Sequence, residues 1–168
     1  MIMPEKKNAN RKLELTASVE EGPYYKTGSP ERNAIAEPGT YGTRLVLEGR
    51  VLDRNGQPIP GAWLDFWHAD GHGNYDNDGY NLRGHQYADK DGRYRLETLR
   101  PADYMMRAPH IHAKVRAIKN SPILTTQLFF PGESKNATDP IFEKLTVMDV
   151  ADTKDGQKGT FDFVVDVG

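Results

Sequence analysis

Short stretches of this chain place apolar residues at every second position. Leu45, Leu47 and Val51 alternate with Val46, Glu48 and Arg50, the period of a strand with one buried face. Asn55-Gly56 follows as a turn signal. In the next stretch Ala62, Leu64 and Phe66 fall on one side, and Trp63, Asp65 and Trp67 on the other. Asp89-Lys90-Asp91-Gly92 marks another turn leading into RYRLETL at 93–99, and residues 110–118, 125–130 and 160–167 bring the predicted strands to at least six. No segment sustains a helical period. The best candidate, 142–150, is short and rich in β-branched residues, which disfavours helix. The expected fold is therefore all-β, a β-sandwich or open barrel with long loops and little helix. Residues 1–20 are polar and carry Lys6, Lys7, Arg11 and Lys12, which predicts a solvated N-terminal arm ahead of a single domain at 21–168. The other reading is an arm that docks on a partner subunit.

Composition narrows the function classes. A chain of 168 residues buries enough surface to fold without disulfides or a structural metal, so any metal would serve function. Lys and Arg number 22 against 24 Asp and Glu, a net charge of -2 without the basic footprint of a nucleic-acid binder. No apolar run approaches the roughly 20 residues of a membrane helix. The first 21 residues lack the apolar core of a signal peptide, which predicts a cytoplasmic protein. There is no cysteine, so His, Tyr, Asp and Glu are the available metal ligands.

The chemistry-bearing residues cluster. His68, His72, His85, His110 and His112 share one window with Tyr75, Tyr80, Tyr87, Tyr94 and Tyr104. His110-Ile111-His112 lies in a strand-like stretch, which projects both imidazoles from one face about 6.6 Å apart, within reach of a single cation. The competing reading makes one a core histidine and the other a surface residue. No conspicuous carboxylate lies in that strand to complete a ferrous two-histidine, one-carboxylate site. A tyrosine phenol ionises at neutral pH only against a strong Lewis acid, and its phenolate favours a trivalent ion, so ferric iron is the expected metal. Tyr75 follows two glycines in DGHGNYDN, and Tyr104 stands six residues before His110, though without further information each reads more readily as a half-buried packing residue. Asp76-Asn77-Asp78-Gly79 and 89–92 lack the ligand spacing of a calcium loop and read as turns. Asp70 is assigned to turn chemistry and Trp67 to core packing.

EGPYY at 21–25, LEGRVLDRNGQPIPGAWLDFWHADGHGNY at 47–75, DKDGRYRLETLRPADY at 89–104, RAPHIH at 107–112 and TTQLFF at 125–130 resemble the intradiol ring-cleavage dioxygenases, of the protocatechuate 3,4-dioxygenase and catechol 1,2-dioxygenase type. The resemblance implies a non-haem Fe(III) held by Tyr75, Tyr104, His110 and His112, with Tyr104 as the tyrosine displaced by substrate. It implies a catechol-type substrate and O2, and cleavage between the two hydroxylated carbons to a cis,cis-muconate-type diacid. Arg107 and Gln127 fall at the family's positions beside the bound ring, and Gly22, Pro23 and Tyr24 in its substrate pocket. A salt bridge for Arg107 and a backbone-bonded amide for Gln127 are the purely structural readings. The connection from Tyr104 to His110 is shorter than in better-known members. Ala113 stands where many carry an aromatic, so its missing volume opens room at the site or is made up elsewhere. The long N-terminal dimerisation helix of catechol 1,2-dioxygenases has no counterpart before residue 21, which leaves another homo-oligomer open. Lys26, Arg32 and Arg83 are candidate cations for an acid-bearing substrate. Two rival functions stand beside this one: a non-catalytic transthyretin-like or regulatory β-sandwich, and another His110/His112 metalloenzyme using a carboxylate such as Asp70 or Asp76.

Overall fold

A computed structural model describes residues 12–168 and shows a two-sheet β-sandwich. The strands are β1 (Arg44–Leu52), β2 (Trp63–Trp67), β3 (Arg83–Tyr87), β4 (Arg93–Leu99), β5 (His110–Arg116), β6 (Leu124–Phe129), β7 (Asp149–Thr153), β8 (Gly156–Thr160) and β9 (Phe163–Val164). One sheet runs β4-β1-β8-β7, with β9 pairing the end of β1, and the other runs β3-β2-β5-β6. The predicted alternation explains the core. Leu45, Leu47, Val51 and Leu96 meet Leu64, Phe66, Ile111, Ala113, Val115 and Leu128 between the sheets, all fully buried. Each of these side chains other than that of Ala113 contributes about 1.5–3 kcal/mol by leaving water.

Three strands, β3, β7 and β8, escaped the pattern. β3, RGHQY, buries Arg83, Gly84 and Gln86, so its burial is not written in apolar residues. β7 is a sheet edge with no buried residue. The stretch 142–150 holds only a single-turn 3-10 helix (Lys144–Thr146) before β7 begins. The predicted strand at 160–167 is broken, because the chain leaves β8 at Thr160 and pairs again further along β1 at Phe163–Val164.

Residues 1–11 of the predicted arm, with Lys6, Lys7 and Arg11, lie outside the described residues. Residues 12–20 run along the sandwich. The amides of Leu13, Thr16 and Val19 donate to the carbonyls of Arg54, Val164 and Thr125 at 2.6, 2.9 and 2.9 Å. Among the described residues no helix is long and apolar enough to cross a membrane.

The second face of the β3-β2-β5-β6 sheet is also covered. Tyr25 and Ser29 donate to the carboxylate of buried Asp65 at 2.9 and 2.8 Å, and the Tyr25 ring packs 4.7 Å from Trp67. The segment 19–31 thus lies over the outward side chains of this sheet. Ala113 faces the opposite way, into the core, so its small volume is made up by core packing and opens nothing at the histidines.

Candidate metal centre

Strand alternation sends Ile111 and Ala113 into the core and His110 and His112 to the covered outer face, where they are 2% and 1% exposed. Trp67, the cross-strand partner of His112, stacks its ring on that imidazole with centroids 4.6 Å apart and planes 10° off parallel. His110 Nδ1 donates to the Ala108 carbonyl at 2.7 Å. A carbonyl only accepts, so Nδ1 carries the hydrogen and His110 Nε2 presents a bare lone pair. The two Nε2 atoms stand 3.0 Å apart.

Loops deliver the tyrosines. Asp70 Oδ1 accepts from the amides of His72 and Asn74 at 2.8 and 3.0 Å, the turn role expected of it. Gly73 has φ +84°, and a Cβ there would stand 2.6 Å from the Asp103 carbonyl oxygen, so only glycine lets the Tyr75 loop close on the Tyr104 segment. Tyr75 Oη lies 2.8 Å from His112 Nε2 and 3.3 Å from His110 Nε2. Tyr104 opens a two-residue hairpin closed by Arg107, with the Arg107 amide donating back to it at 2.8 Å. Its ring stands edge-on to Tyr75 at 5.6 Å and 5.8 Å from the His110 ring.

Burial, reinforced by the Arg107 cation, lowers His110 to about 4. Burial and the neighbouring His110 hold His112 well below the usual histidine range. Both imidazoles are therefore neutral near pH 7, the state that binds a metal. Burial, with Tyr104 beside it, raises the Tyr75 phenol, which gives up its proton only against a cation. Donors held at right angles on one ion, about 2.0–2.2 Å from it, stand about 3 Å apart. The separations of 2.8, 3.0 and 3.3 Å among Tyr75, His110 and His112 fit that spacing. Among the described residues no three His, Asp or Glu side chains come together. Asp70 is engaged in its turn, and the Asp76 carboxylate accepts the amides of Asp78, Gly79 and Asn81, so neither completes a carboxylate site.

Arg107 does form an ion pair, its Nε lying 2.9 Å from Asp139 Oδ2, while Nη2 donates to Gln127 Oε1. Gln127 is fully buried and passes its own amide hydrogen to the Glu20 carbonyl at 2.7 Å. Against the upward push of burial, the amides of Ile141 and Ala108 and the Arg107 guanidinium hold the Asp139 carboxyl below the usual range. Sequence reasoning missed Asp139, whose only local signal is a turn-like Asp-Pro. Tyr24 stacks on Tyr75 with centroids 4.3 Å apart, and a Cβ on Gly22 would lie 3.5 Å from His112 Cε1. Arg83 is no rim cation. It is 2% exposed and donates to the carbonyls of Asp76 and Tyr24 at 3.0 and 2.5 Å, which ties the Tyr75 loop to the 19–31 segment. A cleft of about 770 Å³ between Gly39–Thr43 and Arg100–Asp103 holds none of the four candidate donors.

The family model described as Dioxygenase matches residues 20–167. The protocatechuate 3,4-dioxygenase beta chain of Burkholderia cepacia is 33% identical over 129 residues, covering 67% of this chain and 55% of that one. A catechol 1,2-dioxygenase of Pseudomonas sp. (strain EST1001) is 39% identical over 93 residues, covering 50% and 31%. The chain thus spans about half, or less, of these relatives' length. Among solved structures, the dioxygenase domain of a dioxygenase carbohydrate-binding protein fusion from Streptomyces sp. SirexAA-E superposes with a TM-score of 0.88 at 44% identity, over 92% of this chain and 100% of that one. The 3-chlorocatechol 1,2-dioxygenase of Rhodococcus opacus 1CP superposes with a TM-score of 0.83 at 25% identity, over 89% and 71%. With the family model matching nearly the whole sandwich, the chain belongs to the intradiol ring-cleavage dioxygenases.

Proposed function

We propose that the protein is a non-haem Fe(III) dioxygenase that opens a catechol ring between its two hydroxylated carbons, using O2, to give a cis,cis-muconate-type diacid. The convergence of Tyr75, His110 and His112 within 2.8–3.3 Å of one another, with the Tyr104 ring beside them, carries this reading. Those four side chains are the proposed ligands. A ferric ion held by them would lower the pKa of both catechol oxygens and draw charge from the ring, which activates it toward dioxygen.

The chain's own groups do the rest. Tyr104 rides on an exposed hairpin, whereas Tyr75 sits under Tyr24 and against His112, so Tyr104 is the phenolate free to give way to substrate and carry off a proton. Arg107, aimed by Asp139 and Gln127, places a fixed cation where negative charge develops on the ring. Trp67 and Gly22 pack against His112 and keep water from that side.

The test is direct. The iron-loaded protein is expected to show tyrosinate-to-Fe(III) charge-transfer colour and to convert a catechol into a muconate-type product. A colourless protein containing stoichiometric iron, or a product cut beside rather than between the hydroxyls, overturns the assignment.

A further inference from the structure

Resting on that reading, we propose that the site is built for uncharged catechols bearing an apolar ring substituent and discriminates against catechols bearing a carboxylate. A carboxylate needs a cation that is not already engaged. Lys26 Nζ donates to the Gly79 carbonyl at 2.7 Å and sits 4.3 Å from the Tyr80 ring. Arg32 donates to the carbonyls of Tyr80 and Arg83, and Arg83 is buried on the carbonyls of Asp76 and Tyr24. Lys135 pairs with Asp103 at 2.8 Å, and Arg107 with Asp139. The segments that carry Tyr24, Tyr75 and Tyr104 also expose carboxylates, Glu21 paired with Lys114, Asp103 paired with Lys135, and Asp78 bare of any ion pair among the described residues. A substrate carboxylate would lose its hydration and, among the cations named above in the described residues, would meet only ones already held by carbonyls or carboxylates of the protein.

The lip supplies the positive half of the argument. Met105 and Met106 form the tip of the hairpin whose two arms are Tyr104 and Arg107, and they are 86% and 67% exposed. Met105 has φ 51°, a left-handed conformation that is free for glycine and strained with a side chain. The tip nevertheless holds a large apolar residue there, and Lys135 Nζ pins it by donating to the Met105 carbonyl at 2.8 Å. Thioether side chains adapt to ligand shape and pack well on aromatic rings. A substituent pointing outward from a ring held between Tyr104 and Arg107 would meet these two methionines.

The experiment uses iron-loaded protein and a matched set: catechol, 4-phenylcatechol and 3,4-dihydroxybenzoate. Dissociation constants are read anaerobically by spectral titration, and kcat/KM in air. 4-Phenylcatechol is expected to bind at least tenfold tighter than the acid, and no more weakly than catechol. The double substitution Met105→Gly with Met106→Ser is expected to lower the 4-phenylcatechol-to-catechol affinity ratio at least threefold. Equal or tighter binding of the acid, or an unchanged ratio in a folded, iron-loaded variant, overturns the inference while leaving ring cleavage standing. Failure to bind or cleave any member of the set overturns both.

Discussion

The two sheets carry opposite kinds of outer face. On β4-β1-β8-β7, Glu48, Arg95, Glu97 and Lys158 form a chain of ion pairs with side chains 37–51% exposed. On β3-β2-β5-β6, the corresponding outward positions hold Asp65, Trp67, Arg83, His110 and His112, each at most 3% exposed beneath segment 19–31 and the tyrosine loops. Charges on the first face are screened by water, and each pair contributes about 1 kcal/mol or less. On the second face a polar group without a protein partner is costly, as Trp67 Nε1, Arg83 Nη2 and His112 Nδ1 are, and burial shifts protonation. The proposed metal centre lies on the part of that sheet that has lost contact with water on both sides.

The contrast can be broken in steps of decreasing size. His112→Ala or Tyr75→Phe is expected to weaken iron binding more than a hundredfold and abolish the colour, measured by metal content and absorbance. Arg107→Ala should retain iron yet lose about 10²–10³ in kcat/KM, the scale of one charge-stabilising donor. Full turnover in that variant would remove the role assigned to Arg107. Asp139→Asn, acting through Arg107, should lose about tenfold to a hundredfold.

His68 tests what burial does to protonation. It lies fully inside the protein between the Ala69 carbonyl and Thr98 Oγ1, and burial lowers it to about 4. Its unfolded value is near 6.5, so between these limits the unfolded chain takes up a proton that the native state refuses. The contribution of His68 to stability is therefore complete above about pH 6.5 and falls by about 3 kcal/mol as the pH drops toward 4. Denaturation across that window should show a shallower slope for His68→Gln than for the parent. The smallest effect compares the faces directly. Asp65→Ala strands the Tyr25 hydroxyl, leaves Ser29 Oγ only His85 Nδ1, and should cost about 2 kcal/mol, whereas Glu48→Ala should cost less than about 1 kcal/mol. Equal losses by chemical denaturation would erase the distinction.

Legibility in the sequence followed the same division. β1, β2, β4 and β5 are readable because each has at least one face in a conventional apolar core, and Leu47 or Ile111 declares it. β3 is not, since its buried residues are Arg83 and Gln86, whose burial depends on carbonyls supplied by distant segments. Asp139 was invisible because its partner Arg107 lies 32 residues away.

Residue type and strand period, read from the chain alone, determined that two imidazoles share a face and that phenols are the available anionic donors. Only the tertiary structure decided that Tyr75 reaches both histidines, that Arg83 serves the scaffold, and that Asp139 aims Arg107. Alternation is a local rule of the backbone, whereas the convergence of loops and the desolvation of a second sheet face depend on contacts between segments far apart in the chain.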